Sequence, residues 1–113
     1  MTILAILDEL LFRSKIEAAA AAVGVPVRFA SGAGLPPSSE GPWTTAIIDL
    51  NLASGDPFVL VQQLAQRGTA RTIIGYCSHL QRDLQAKGIE AGCTTVLPRS
   101  ALVQQLSLLL RTS

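Results

Sequence analysis

The sequence predicts an α/β domain built on a doubly wound, five-stranded parallel sheet in the order 2-1-3-4-5. Three observations predict it. Short apolar runs alternate with helix-period stretches along the whole chain, the pattern of a parallel sheet with crossover helices on both faces. The runs at 3–7 and 44–50 are continuously apolar, as strands buried on both faces are. Each of these two runs meets a carboxylate, Asp8 and Asp49, where open α/β sheets place their ligands beyond the strand ends.

The 113 residues suit one domain, 1–113, large enough for a core without staples. A composition of 49% hydrophobic and 15% charged residues excludes a disordered segment. With only Phe12, Phe29, Trp43, Phe58 and Tyr76 as aromatics, aliphatic residues must build the core. The net charge of +1 is spread over scattered Lys and Arg, which removes the footprint of a nucleic-acid or acidic-membrane binder. No signal peptide or transmembrane run is present, because the opening apolar stretch stops at Asp8 and Glu9. Cys77 and Cys93 form neither a disulfide framework nor a metal spacing, so free thiols in a cytoplasmic protein are expected.

The first strand covers 3–7, and Asp8 and Glu9 suit the start of the next helix. Phe12, Ile16, Ala19, Ala20 and Val23 recur at helical spacing, and Gly24 is placed to end that helix. Residues 25–29 read as a second strand, at a sheet edge because of Pro26. Residues 30–42, rich in Gly, Pro and Ser, cannot be a regular helix. They predict a surface loop, with Trp43 packing it against the sheet edge. After the third strand, Asp56-Pro57 predicts an N-cap and first turn for a helix that ends near Gly68. Residues 71–76 are the fourth strand. Ser78 and Gln81 have capping-box spacing, which starts the next helix near His79 and carries it to Gly92. A fifth strand at 94–97 and a helix at 101–111, with Leu102, Leu106 and Leu109 inward, complete the chain.

The 2-1-3-4-5 order brings Asp8 and Glu9, Asp49 and Asn51, Cys77, Ser78 and His79, and Arg99 to one rim. Each also has a structural role available. Asp49 can cap the loop after its strand, Asp8 and Glu9 can favour a helix N-terminus, and Arg99 can neutralise Asp49. Cys77 and Cys93 read as small core hydrophobes. A second class of function, a small α/β enzyme, would use Asp49 or Cys77 as nucleophile, with His79 the sole histidine available as a base.

Over its length the chain resembles the receiver domain of bacterial response regulators, a flavodoxin-like fold. The residues carrying the likeness are Ile3-Leu4-Ala5-Ile6-Leu7-Asp8 with Arg13, Ala46-Ile47-Ile48-Asp49-Leu50-Asn51, Thr72 to Ser78, and Ala91 to Ser100. The resemblance implies that Asp49 stands at the phospho-acceptor position and that Asp8, Asp49 and the backbone of Asn51 stand at the Mg²⁺ positions. It departs from the family at Leu7, on the first acidic position unless Glu9 substitutes. Cys77 stands at the hydroxyl position, Arg99 and Ser100 at a Lys-Pro pair, and the Gly- and Pro-rich loop at 30–42 replaces the family's second helix. Arg does not place its charge as Lys does, and a thiol is a poor partner for a phosphoryl oxygen. These departures imply a degenerate receiver, a pseudo-receiver, that signals by protein–protein contact with phosphoryl acceptance at Asp49 absent or weak. A working single-domain phospho-acceptor is the alternative. The implied partner is a histidine kinase or a signalling target in a phosphorelay, and the last two helices could support a homodimer. No cofactor is required, except Mg²⁺ if Asp49 is phosphorylated.

Overall fold

In the computed structural model, which describes residues 2–111, the alternation resolves into five strands and four α-helices. The strands are β1 (Ile3–Ile6), β2 (Val27–Ala30), β3 (Trp43–Asp49), β4 (Ala70–Cys77) and β5 (Thr95–Pro98). The helices are α1 (Leu10–Val23), α2 (Pro57–Arg67), α3 (Arg82–Ala91) and α4 (Arg99–Arg111), with a single 3-10 turn at Ser38–Glu40. All strand pairs are parallel and the sheet order is β2-β1-β3-β4-β5, as predicted. Among the described residues no helix is long and apolar enough to cross a membrane.

The strands read as unbroken apolar runs because helices cover both faces. Ile3 and Ala5 of β1, with Ile47, Ile74 and Tyr76, pack against Phe12 and Ile16 of α1 and Leu102, Leu106 and Leu110 of α4. Leu4, Ile6, Ile48 and Ile73 point the other way, toward Leu60, Val61 and Leu64 of α2 and Cys93. All four β1 residues have no exposed surface. At roughly 1.5–3 kcal/mol per fully buried large aliphatic side chain, such strands hold the rim rigidly in place.

The loop at 30–42 stands where a second helix was expected to be missing. It covers the sheet with half-buried Leu35 and buried Pro36, whose carbonyl accepts from Arg67 Nη1 at 3.4 Å. Arg28 of β2 and Glu40 pair at 2.9 Å and tie the loop to the edge strand. Trp43, expected to pack the loop against the edge, instead opens the central strand β3, 5% exposed in the core. Its amide bonds to Thr69 beside β4, so its position follows from strand pairing.

Element ends moved by one to three residues. β2 starts after Pro26, which lacks the amide that continued pairing needs. α1 starts at Leu10, ahead of its first buried residue. Asp56 caps α2 as predicted, accepting from Phe58 and Val59, and Gly68 ends it at φ 63°, where a side chain would be strained. α3 starts at Arg82, not near His79. The Gln81 amide closes a turn on the Ser78 carbonyl, and the Gln81 side chain accepts from the Ser78 amide. In α4 it is Leu110 that is fully buried, while Leu109 packs half-buried on the same cluster.

Candidate functional site

Asp49 ends β3 opposite Tyr76 of β4, at the centre of the carboxyl rim. The strand carries it under cover, with only 6% of its surface exposed. One oxygen, Oδ1, accepts the Asn51 amide at 2.8 Å and stops the chain from continuing as a strand. Burial pushes the Asp49 carboxyl above the ordinary carboxylate range. The Asn51 bond and the charge of Arg99 oppose that rise, and Glu9 and Asp8 add to it. Asp49 is thus a carboxyl whose charged form burial disfavours, as well as a loop cap.

Asp8 is exposed, yet its carboxylate is engaged. Oδ2 accepts the amides of Ala53 and Ser54, each at 3.0 Å, and Oδ1 accepts the Ser54 hydroxyl at 2.6 Å. The hydroxyl bond chiefly lowers its pKa. Slight desolvation works against this, and the two amides reinforce it. Leu7, on the other candidate acidic position, is buried against the α1 and α4 face and presents no oxygen.

Glu9 and Arg99 meet across the rim, Oε2 to Nη1 at 2.7 Å. β5 ends at Pro98, so Arg99 belongs to the first turn of α4 and is not the last residue of the strand. Its guanidinium lies over the rings of Phe12 and Tyr76, at 5.2 and 5.7 Å from their centroids. Arg99 therefore reaches Asp49 only through its field, and its direct partner is Glu9.

Asn51 and Gln81 form a reciprocal amide pair. Asn51 Nδ2 donates to Gln81 Oε1 at 2.9 Å and Gln81 Nε2 donates to Asn51 Oδ1 at 2.8 Å. The pair bridges the loop after β3 to the turn after β4. Beside it opens a cleft of about 500 Å³ lined by Cys77, Ser78, His79, Arg99 and Ser100. Cys77 is 1% exposed, and burial, with Asp49 beside it, raises its thiol pKa. Burial likewise raises Cys93, to about 11, and both thiols are free. Ser78 Oγ accepts the Leu80 amide, and His79 is exposed.

With Asp8 and Glu9 engaged as they are, the donor set does not fit Mg²⁺. An octahedral oxygen shell needs carboxylates free to turn toward the ion. Asp8 already carries three hydrogen bonds, Glu9 is paired with Arg99, and Leu7 offers nothing. Among the described residues no three His, Cys, Asp or Glu side chains group as metal ligands. Ala53, Ser54 and Gln81 hold the rim, and sequence reading did not single out the first two. Ser54 lies 46 residues from Asp8, and nothing in a Ser-Gly-Asp-Pro turn points to so distant a carboxylate.

No protein-family model and no curated protein sequence matches the chain. Solved structures do match. The chemotaxis response regulator CheY4 of Vibrio cholerae superposes with a TM-score of 0.77 at 16% identity, over 98% of this chain and 96% of that one. A response regulator receiver domain protein from Methanospirillum hungatei gives 0.77 at 14% identity, over 98% and 94%. NtrX from Brucella abortus gives 0.78 at 14% identity, and there the match spans 98% of this chain but 26% of the longer one. At these identities the likeness is one of architecture: the chain has the flavodoxin-like fold found in response-regulator receiver domains.

Proposed function

We propose that the chain is a receiver-type signalling module, a pseudo-receiver that acts by binding a protein partner, with phosphoryl acceptance at Asp49 absent or weak. The observation that carries this reading is the state of Asp8. Its carboxylate is consumed by Ala53 and Ser54, which leaves Asp49 without a second carboxylate to share a Mg²⁺ ion. Two further features support it. Cys77 offers no hydroxyl, and the Arg99 charge is directed at Glu9. A thiol that is buried and raised in pKa argues equally against an enzyme that uses Cys77 as nucleophile.

The partner is a histidine kinase or a downstream signalling target, met in the cytoplasm of a bacterial cell. Exposed apolar residues on the last two helices, Ile89 on α3 and Val103 and Leu108 on α4, support contact there, including a homodimer. The working phospho-acceptor is the second reading, favoured by the placement of Asp49 at the end of the central strand. Incubation with a small phospho-donor and Mg²⁺, followed by intact mass, separates the two. No more than a trace of phosphoryl adduct is expected. A stoichiometric adduct that disappears in Asp49→Ala establishes the second reading instead.

A further inference from the structure

The loop that replaces a helix touches the rim where Asp8 is held. The Gly32 amide donates to Ser54 Oγ at 2.7 Å, and Ser54 Oγ donates in turn to Asp8 Oδ1 at 2.6 Å. The two backbones are in contact beneath this chain of bonds. A Cβ on Gly55 would lie 2.0 Å from the Gly32 oxygen, and one on Gly32 would lie 2.5 Å from the Gly55 nitrogen. Neither neighbour is a side chain that can swing away, so both positions need glycine for the approach itself. Gly34, two residues on, would meet nothing within 4 Å. The close approach therefore belongs to the Gly32–Gly55 crossing.

That crossing delivers three donors to one carboxylate: the amides of Ala53 and Ser54 and the Ser54 hydroxyl. Converging N–H and O–H dipoles stabilise a carboxylate much as a bound cation does. They also use most of the roughly four acceptor positions that an Asp offers. A cation must break these bonds to reach Asp8, and Mg²⁺ dehydrates reluctantly even for a ready-made site.

We propose that Ser54, strapped from outside by Gly32, is an autoinhibitory occupant of the rim, in which protein donors take the place of a divalent cation on Asp8 and exclude it. The proposal rests on the reading of this rim as a receiver-type site. It adds the segment that closes the rim and the class of ligand it shuts out. The loop at 30–42 is then the strap of this contact, and its release opens Asp8 to cations.

The test is a titration of the ¹⁵N-labelled full chain with MgCl₂ alone, read at the amides of Asp8, Ala53 and Ser54, together with their hydrogen exchange. In the wild type and in Gly34→Ala, the Ala53 and Ser54 amides are expected to be protected and to show no saturable shift through the millimolar range. In Ser54→Ala, protection is expected to fall by about tenfold or more. A saturable Mg²⁺ shift is expected to appear there and to be abolished by adding Asp8→Asn. If Ser54→Ala does not fold, Gly32→Ala, which displaces the strap with Ser54 intact, is read in the same way. The proposal is overturned by a wild-type midpoint equal to that of the variant, by unprotected wild-type amides, or by a folded variant that does not respond to Mg²⁺. No phospho-donor is present, so a failure here is a failure of the Ser54 contact to exclude the cation, while the pseudo-receiver reading fails separately, by a stoichiometric phosphoryl adduct on Asp49.

Discussion

Arg99 Nη1 lies 2.7 Å from Glu9 Oε2, while the same guanidinium covers the rings of Phe12 and Tyr76. The ion pair is nearly half exposed on both sides, 43% and 42%, so solvent screens it. Exposed pairs contribute about 0.2–1 kcal/mol, and a cation over an aromatic ring contributes about 0.5–1 kcal/mol at such sites. Glu9→Gln is therefore expected to cost under about 1 kcal/mol and to lose that effect in high salt. Arg99→Ala is expected to cost more, about 1–2 kcal/mol, with a part that salt leaves unchanged. Urea unfolding at low and high ionic strength measures both.

Asp49 contributes to stability with the opposite sign from most carboxylates. Its folded pKa is raised by burial, so folding favours its protonated form. The stability it supplies is full below the ordinary Asp pKa and is lost as pH rises through the folded value. Above that value the buried charge works against the fold. Asp49→Asn, which keeps an oxygen for the Asn51 amide, is expected to raise the unfolding midpoint at pH 7. The gain should shrink toward zero as pH falls into the acidic range. A variant that is less stable than wild type at pH 7 contradicts this account. Asp8, lowered by its bonds to Ser54, behaves in the usual way: its contribution is present above the unfolded pKa and fades as pH falls through the folded one.

The Tyr76 hydroxyl is buried and meets no hydrogen-bond partner among the described residues, and burial pushes its pKa up strongly. A polar group buried unpaired costs about 1–3 kcal/mol by mutational measures. Tyr76→Phe keeps the ring, which sits 4.7 Å from Phe12 between centroids, and removes only the oxygen. The variant is expected to be more stable by about 0.5–2 kcal/mol in chemical unfolding. A loss of stability would show that the hydroxyl does have a partner in solution.

Both cysteines are buried, with thiols raised in pKa. Thiolate is the reactive form, so native Cys77 and Cys93 are expected to react with a thiol reagent at pH 8 at least about tenfold more slowly than free cysteine. Reactivity should recover on unfolding in urea. Fast native labelling of Cys77 alone would revive the reading of that residue as a nucleophile.

The sequence alone determined the sheet order, the loop between the second and third strands and the arrival of Asp8, Glu9, Asp49, Asn51, Cys77 and Arg99 at a common rim. These follow from local physics: apolar runs for buried strands, Asp56-Pro57 and Gly68 for helix ends, and Pro and Gly where no helix can form. Tertiary structure decided which of those side chains pair. Arg99 chose Glu9 over Asp49 because α4 begins one residue past β5 and lays its guanidinium across Phe12 and Tyr76. Asp8 went to Ser54 because two glycines, Gly32 and Gly55, let distant loops touch. Strand periodicity is written residue by residue, whereas the partner of a rim carboxylate is set by loops that meet only after the sheet has formed.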